Sequence, residues 1–426
     1  MQSSTVDEPD PTRTASPRLT PQQWLVLIAA LLGWMFDGIE MGLFPAIMRP
    51  AMQSLLGATA GEGDVAMWIS RLTASFLLGA ALGGVAFGWL GDRIGRVRAM
   101  VLSILAYSLF TGTCYFATSP LQLGVLRFFA SLGMGGEWAL GVALVVECWP
   151  EKLRPLLSGV IGAAGNVGYL LISTLVACFP VRPDSWRWTL AVCASPAILA
   201  LLIAVFVPES KRWQQSVRGS GTRPLREIFT TRLIRPTLLG IGLASVALIG
   251  TWGCVQTFLA QWVDQKVGGE DPYAKGRVLA VIAVGAIVGG LIAPLIGGRI
   301  GRRPAYFGIC LLSLTVCQFL FRCMTPHDAG FPAAAFVAGA CTASFYGWLP
   351  LYLPELFPTR VRATGQGLCY NFGRIFAMFG VLGTGSLMKF FDNSYPRACA
   401  VISLVYVVGM VLIWFGPETK GRPLPE

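Results

Sequence analysis

Six ionisable side chains lie inside long apolar stretches of this sequence: Asp37, Glu40, Arg71, Arg127, Glu137 and Arg374. A charge in such a stretch is costly and rare, and it marks a functional site by default. Acids there can take up and release protons, and arginines can recognise anions. Asp37 and Glu40 are three residues apart, so they share one helix face. Helix counting puts Arg127 at a similar depth. A carboxylate 4 Å from a guanidinium gains about 4 kcal/mol at an effective dielectric near 20. A carboxyl that alternates between paired and unpaired burial changes its proton affinity in each cycle. Asp37, Glu40 and Arg127 therefore form a candidate proton-coupling cluster; a permanently ionised structural triad is the alternative. Glu137 lies ten residues beyond Arg127, among Gly133, Gly135 and Gly136. It is either a second proton station or the anchor of an interhelical hydrogen bond. Arg71 opens its stretch, where snorkelling outward is the simpler reading.

Arg374 sits near the middle of its stretch, within Tyr370-Asn371-Phe372-Gly373-Arg374. A buried guanidinium needs a negative partner, and its planar fork suits a carboxylate. No acid is evident in the other apolar stretches of the second half of the chain, so a substrate anion is expected to supply the charge. Pairing with Glu40 or Asp37 is the alternative. Asn166, Tyr169, Trp252, Gln256, Tyr346, Tyr370 and Asn371 are candidates to complete a pocket of apolar walls with few polar groups. Gln256 and Asn371 stand out among them, because an amide in a span needs a partner.

The elements that position these groups follow from composition. The chain has 426 residues, is 54% apolar and 13% charged, and has a mean hydropathy of +0.62. About 25% charge is usual for a soluble protein. A bilayer core of about 30 Å needs about 20 apolar residues in a helix. Twelve such stretches occur, at roughly 24–46, 68–90, 99–117, 121–146, 156–178, 187–207, 236–258, 277–297, 305–322, 332–353, 364–388 and 397–415. Runs this long read as helices, which satisfy their own backbone in lipid. They predict an all-α integral membrane protein of twelve spans.

The net charge is +11, from 33 Lys+Arg against 22 Asp+Glu. With the N-terminus inside, cytoplasmic segments hold 21 basic residues, external segments nine and the spans three. That bias places both termini in the cytoplasm. The basic excess thus encodes topology, and no basic folded domain exists to bind nucleic acid. Residues 1–22 are rich in Ser, Thr, Pro and acid and are expected to be disordered, with no cleavable signal peptide. The eleven cysteines are scattered without CxxC and read as packing residues. No metal cluster or catalytic set is visible. The single histidine, His327, lies in an external loop, which excludes a histidine relay inside the membrane.

Three sequence signals repeat. Gly91-Asp92-Arg93-Ile94-Gly95-Arg96 returns as Gly297-Gly298-Arg299-Ile300-Gly301-Arg302, Glu147…Pro150…Arg154 as Glu355…Pro358…Arg362, and Pro208-Glu209-Ser210-Lys211 as Pro417-Glu418-Thr419-Lys420. Offsets of 206, 208 and 209 define two six-span halves, 23–207 and 236–416, joined by a cytoplasmic loop 208–235 and followed by a tail 417–426. By the same offset Arg374 is expected to face Asn166 across the pseudo-twofold axis. Asp92, Arg93, Arg96, Glu147, Arg154, Glu355, Arg362, Glu209 and Glu418 cluster at the cytoplasmic mouth and are expected to form an inner gate. Enforcing topology alone is the weaker reading, because acids contribute little to it. The second copy has Gly298 where the first has Asp92, so the two inner gates should differ in strength.

Gly88-x-x-x-Asp92-Arg93-x-Gly95-Arg96 between spans two and three resembles the loop motif of the major facilitator superfamily. Pro208-Glu209-Ser210 and Pro417-Glu418-Thr419-Lys420-Gly421 resemble marks of its sugar-porter and metabolite:proton symporter branches. Arg127…Gly133-Met134-Gly135-Gly136-Glu137-Trp138…Glu147 resembles the sialate and lactate/pyruvate symporters, and Asp37-Gly38-x-Glu40 the acidic pair of aromatic-acid symporters. A span-eleven arginine is also a feature of the organic-anion transporters in this group. The resemblance implies two pseudo-symmetric six-helix bundles with a site at the midplane between them. It implies a non-enzymatic, proton-coupled symporter of a small organic anion, working by alternating access as a monomer in the plasma (inner) membrane, with a proton gradient and no other cofactor. A sugar or polyol symporter is the alternative. A drug exporter is weaker, because Gly159-Val160-Ile161-Gly162-Ala163-Ala164-Gly165 lacks the Gly-Pro motif of those antiporters. A non-transporting receptor would bind without flux.

Overall fold

The computed structural model describes residues 19–57, 61–179, 181–217, 223–267, 271, 273–383, 388, 390–392 and 394–426. These residues are helical, with no strand among them. The first five spans are the helices Pro21–Leu56, Glu62–Ile94, Arg96–Thr113, Pro120–Cys148 and Arg154–Cys178. Span six is Arg187–Phe206 and span seven Ile234–Val267. Spans eight to eleven are Ala274–Ile300, Arg302–Cys323, Phe331–Tyr352 and Arg362–Leu382, and span twelve is Tyr395–Phe415.

Eleven of these helices are long and apolar enough to cross a membrane. Span eleven is the polar exception, because Thr364, Gln366, Asn371 and Arg374 all lie on it, buried. Its polar side chains face protein, so lipid does not pay for them. The first helix has 36 residues, about 54 Å by helix rise, and outruns a bilayer core. Residues 1–18 of the stretch expected to be disordered lie outside the described residues. Its last part, however, is ordered. Thr20 caps the first helix in a capping box with Gln23, and Pro21 occupies the first turn, where its missing N–H costs nothing.

Spans two and eleven, and spans five and eight, pack together and join the halves. Spans one and five meet at backbone distance. A Cβ on Gly38 would strike the Gly165 carbonyl, and one on Gly168 would strike that of Met35. Small residues at such crossings allow this approach. We expect Gly168→Val to destabilise the protein by at least about 2 kcal/mol, because backbone must move to admit the side chain. A lowered unfolding temperature of the purified protein would show it.

The start of the first helix and the C-terminal residues lie at one end of the bundle, the terminal face. The Gln23 side chain donates to the Cys148 carbonyl at 3.0 Å, and Trp149 donates to the Gln23 carbonyl at 2.9 Å. The final residues reach the same face. Arg362 donates to the Pro425 carbonyl at 3.0 Å, and Leu424 is buried.

Candidate functional site

At the terminal face the repeat is built twice. Gly95 and Gly301 turn the chain between paired helices with φ of +111° and +110°, a region that favours glycine. Each leaves room for a carboxylate from the end of its own half. Glu209 accepts from the backbone N–H groups of Arg96 at 2.9 Å and Val97 at 3.1 Å. Glu418 accepts from those of Arg302 at 2.9 Å and Arg303 at 3.1 Å. Each acid therefore caps a helix N-terminus, where unpaired N–H groups and the helix dipole favour negative charge. Arg96 bonds Glu147 at 3.1 Å, as Arg302 bonds Glu355 at 2.6 Å. Ser210 and Thr419 donate to the same two acids at 2.6 Å and 2.5 Å.

The twin caps are shifted in opposite directions. Burial raises the Glu209 carboxyl above its ordinary value, against the backbone N–H groups of Ser210, Val97 and Arg96. At Glu418 burial also pushes upward. The N–H groups of Arg302, Arg303 and Lys420 and the charge of Arg302 outweigh it, so this carboxyl sits below its ordinary value. A depressed carboxyl stabilises the fold above its unfolded pKa, and that contribution is lost as pH falls through the folded one. Glu418→Gln should therefore be less stable than the unsubstituted protein at neutral pH, with the two converging in acid. Thermal unfolding across an acid series checks this. The raised Glu209 carboxyl has the opposite sign, favouring the fold in acid.

The bonds between halves are asymmetric. Asp92 caps span eleven from the other half, accepting from the N–H groups of Ala363 at 3.2 Å and Thr364 at 2.8 Å and from the Thr364 hydroxyl at 2.5 Å. Its counterpart, Gly298, instead lies against Pro155. Arg362 reaches Glu147 at 3.0 Å, and Arg96 donates to the Thr359 carbonyl at 2.6 Å. Two expected gate residues stand apart. Arg93 is exposed and lies over the Trp89 ring at 4.9 Å, on the outward face of its own helix. Arg154 bonds Glu151 one turn away at 2.6 Å, in its own half, and reaches Glu355 of the other half only electrostatically.

The short helix Lys211–Val217 docks under the first half. Its Trp213 donates to the Asp92 carbonyl at 3.0 Å, and Arg96 lies over the Trp213 ring at 5.9 Å.

Deeper in the bundle the expected acidic cluster separates into two. Arg127 makes a short ion pair with Glu40, which also accepts from the Thr111 hydroxyl at 3.0 Å. Phe44 and Phe76 cover the guanidinium at 4.6 Å and 5.4 Å. Asp37 does not join this pair. It lies within hydrogen-bond reach of Glu137 on span four. Glu137 rests on Gly33, where any Cβ would collide with its carboxyl. Gly33 and Asp37 are one turn apart, so both face Glu137. All four carboxyl oxygens of Asp37 and Glu137 are buried without a bond from a donor group.

Arg374 is 5% exposed and forms no ion pair among the described residues. Its Nη1 is buried without a partner. The guanidinium lies 5.8 Å from the Tyr370 ring and within electrostatic reach of Asp37 and Tyr346. Tyr370 stacks on Trp138, with ring centres 3.9 Å apart, and meets Trp34 edge-on at 6.2 Å. Tyr346 closes from span ten at 6.5 Å. The indole N–H groups of Trp34 and Trp138, the Tyr346 hydroxyl and the whole Gln366 amide are likewise buried and unpartnered. A cation, an acid pair and aromatic walls thus meet where spans one, four, ten and eleven converge. Such an arrangement can take a planar anion, with its charge on Arg374 and its face on the rings.

The remaining pocket candidates divide. Asn371 gives its amide nitrogen to the Gly135 carbonyl at 3.0 Å and the Gly367 carbonyl at 2.9 Å, so that nitrogen ties span eleven to span four and is not offered to a ligand. Trp252 and Gln256 lie in a π-helical segment, Thr251–Leu259, that widens span seven. Such segments concentrate at functional sites. Trp252 adjoins Tyr346. Asn166 and Tyr169 are half-buried on span five, with Tyr169 against Gly42 of span one. Sequence reasoning did not single out Trp34 or Gln366; only their depth in spans could have flagged them.

Residues 24–298 match the family model described as Major Facilitator Superfamily, and residues 247–421 that described as Sugar (and other) transporter. The chain is similar to the probable 4-methylmuconolactone transporter of Cupriavidus pinatubonensis, 29% identical over 94% of this chain and 92% of that protein. It is similar to the cis,cis-muconate transport protein of Acinetobacter baylyi, 29% identical over 95% and 97%. A solved structure of the proton:xylose symporter XylE bound to 6-bromo-6-deoxy-D-glucose gives a TM-score of 0.78 at 18% identity, covering 95% of this chain and 98% of that one. At that identity the likeness is one of fold.

Proposed function

Because the chain belongs to the major facilitator superfamily, a family of membrane transporters and not of enzymes, we propose that it carries a small organic anion by proton-coupled symport with alternating access. The observation that carries this reading is Arg374, a buried guanidinium without an ion pair, beside stacked aromatic rings. A buried charge must be paired. A substrate carboxylate would pair it, and a conjugated or aromatic one would also use the rings. The relative named for cis,cis-muconate, a conjugated carboxylate, supports the same class. Buried acids next to the cation supply candidates for the coupling proton: Asp37, Glu40 and Glu137.

The basic residues at the terminal face support a cytoplasmic position for that face, and the relative of Escherichia coli named as an inner membrane protein supports that membrane. The bonds between Asp92 and span eleven and between Glu147 and Arg362 would then hold the inside closed. Their separation would open it.

Purified protein reconstituted in liposomes tests the proposal. An inward proton gradient should drive accumulation of a carboxylate such as benzoate, and should not drive xylose. The Sugar (and other) transporter match over residues 247–421 favours the neutral-sugar reading. Xylose accumulation without carboxylate accumulation would establish that reading instead.

A further inference from the structure

The buried carboxyls are not equivalent, and their surroundings say which of them moves a proton. We infer that Asp37 and Glu137 form one proton-sharing pair, and that this pair carries the proton that accompanies the anion, while Glu40–Arg127 stays a closed ion pair. The inference rests on the proton-coupled reading above.

Glu40 has what a permanent carboxylate needs. A guanidinium and a hydroxyl both bond its Oε1, leaving Oε2 unpartnered, and rings close over the cation. Asp37 and Glu137 have the reverse. Each is buried against the other, with no donor group bonded to either. Two carboxylates in contact in a buried site cannot both ionise, so they hold at least one proton between them. The other groups that face the pair are few. Glu40 adds negative charge from span one. Tyr107 of span three faces Glu137, Asp37 and Glu40 with an unpartnered hydroxyl. From span eleven come Tyr370 and the cation Arg374.

Arg374 thereby links proton and substrate. With one proton, the pair carries one negative charge, which faces Arg374. The site is neutral, and an entering anion meets a cation already compensated. A second proton neutralises the pair and leaves Arg374 alone, ready for a carboxylate. Loading therefore takes one proton onto the acid pair and one monoanion onto the guanidinium. Release returns both. The site is neutral before loading (−1 and +1) and after it (0, +1 and −1), so neither crossing moves net charge. A monocarboxylate is thus expected to travel with one proton and without current, and a dianion with one further proton or with current.

The test uses the full chain and D37N/E137Q, which keeps the shape of both side chains and removes both acids. Infrared spectra of the purified protein at neutral pH should show a protonated-carboxyl C=O band, and D37N/E137Q should lack it. Absence of the band from the unsubstituted protein, or its survival in the variant, overturns the pair whatever the transport result. In liposomes, the variant should retain more benzoate counterflow than proton-driven accumulation, because counterflow needs no net proton movement. It should lose accumulation driven by a proton gradient. Since Glu40–Arg127 is intact in this variant, that loss would show that the ion pair does not suffice for coupling. Continued proton-driven accumulation overturns the assignment. If the unsubstituted protein moves no carboxylate at all, the substrate reading of the previous subsection fails, and the infrared result still decides the acid pair.

Discussion

Arg374→Ala is expected to abolish carboxylate uptake while leaving the protein folded. The guanidinium is buried with Nη1 unpartnered, and no ion pair depends on it. Removing it breaks no ion pair among the described residues, but the acid pair it faces loses its compensating charge and should take up a second proton. Thermal unfolding at neutral pH reads whether the fold holds. The loss falls on the substrate. Losing one partner of a buried, hydrogen-bonded charge pair costs about 2–5 kcal/mol, or roughly thirtyfold to several thousandfold in affinity. Arg374→Lys keeps the charge but loses the planar fork, so it should fall between the two. Benzoate uptake and benzoate-dependent thermal stabilisation are the measurements. Unchanged carboxylate uptake by Arg374→Ala would remove the basis of the substrate assignment.

Glu147→Gln should have the second largest effect, on the closed state of the terminal face. Glu147 accepts from Arg96 at 3.1 Å, Arg362 at 3.0 Å and Ser210 at 2.6 Å, all buried. It therefore holds two guanidiniums, one from each half. Breaking a buried pair by removing one partner costs about 3–5 kcal/mol, because the other charge stays buried. Here the two arginines would also repel one another across the interface. The equilibrium should shift toward opening by about a hundredfold or more. A cysteine placed at Ala363, buried beneath this network, should then react with a thiol reagent added from the terminal face, in a background free of reactive native thiols. Labelling no faster than in the unsubstituted protein would falsify the gating role.

The repeated latch was legible in the sequence because its contacts are short-range. A turn glycine, the arginine after it and the acid at the end of the half are fixed by where helices start and stop. The same geometry recurs at Gly95 and Gly301, and at Glu209 and Glu418. The exceptions, Arg93 and Arg154, differ by rotation about their own helices, which spacing alone does not set. Asn371 shows a related limit, since its amide nitrogen is taken while its Oδ1 stays buried without a partner. An amide in a span needs a partner, but the sequence does not say that backbone carbonyls of Gly135 and Gly367 provide it.

The central acids show where the division lies. The sequence by itself determined that charges sit in apolar spans, that the halves repeat and that Arg374 lacks an obvious protein partner. Those follow from counting residues against a bilayer and against each other. Only the tertiary structure decided which acid meets which group. Asp37 and Glu40 are three residues apart, about 60° around the helix. That rotation turns Glu40 toward Arg127 and Thr111, and Asp37 toward Glu137. The outcome depends on how close span four comes to Gly33, a distance set by packing between helices about a hundred residues apart in the chain.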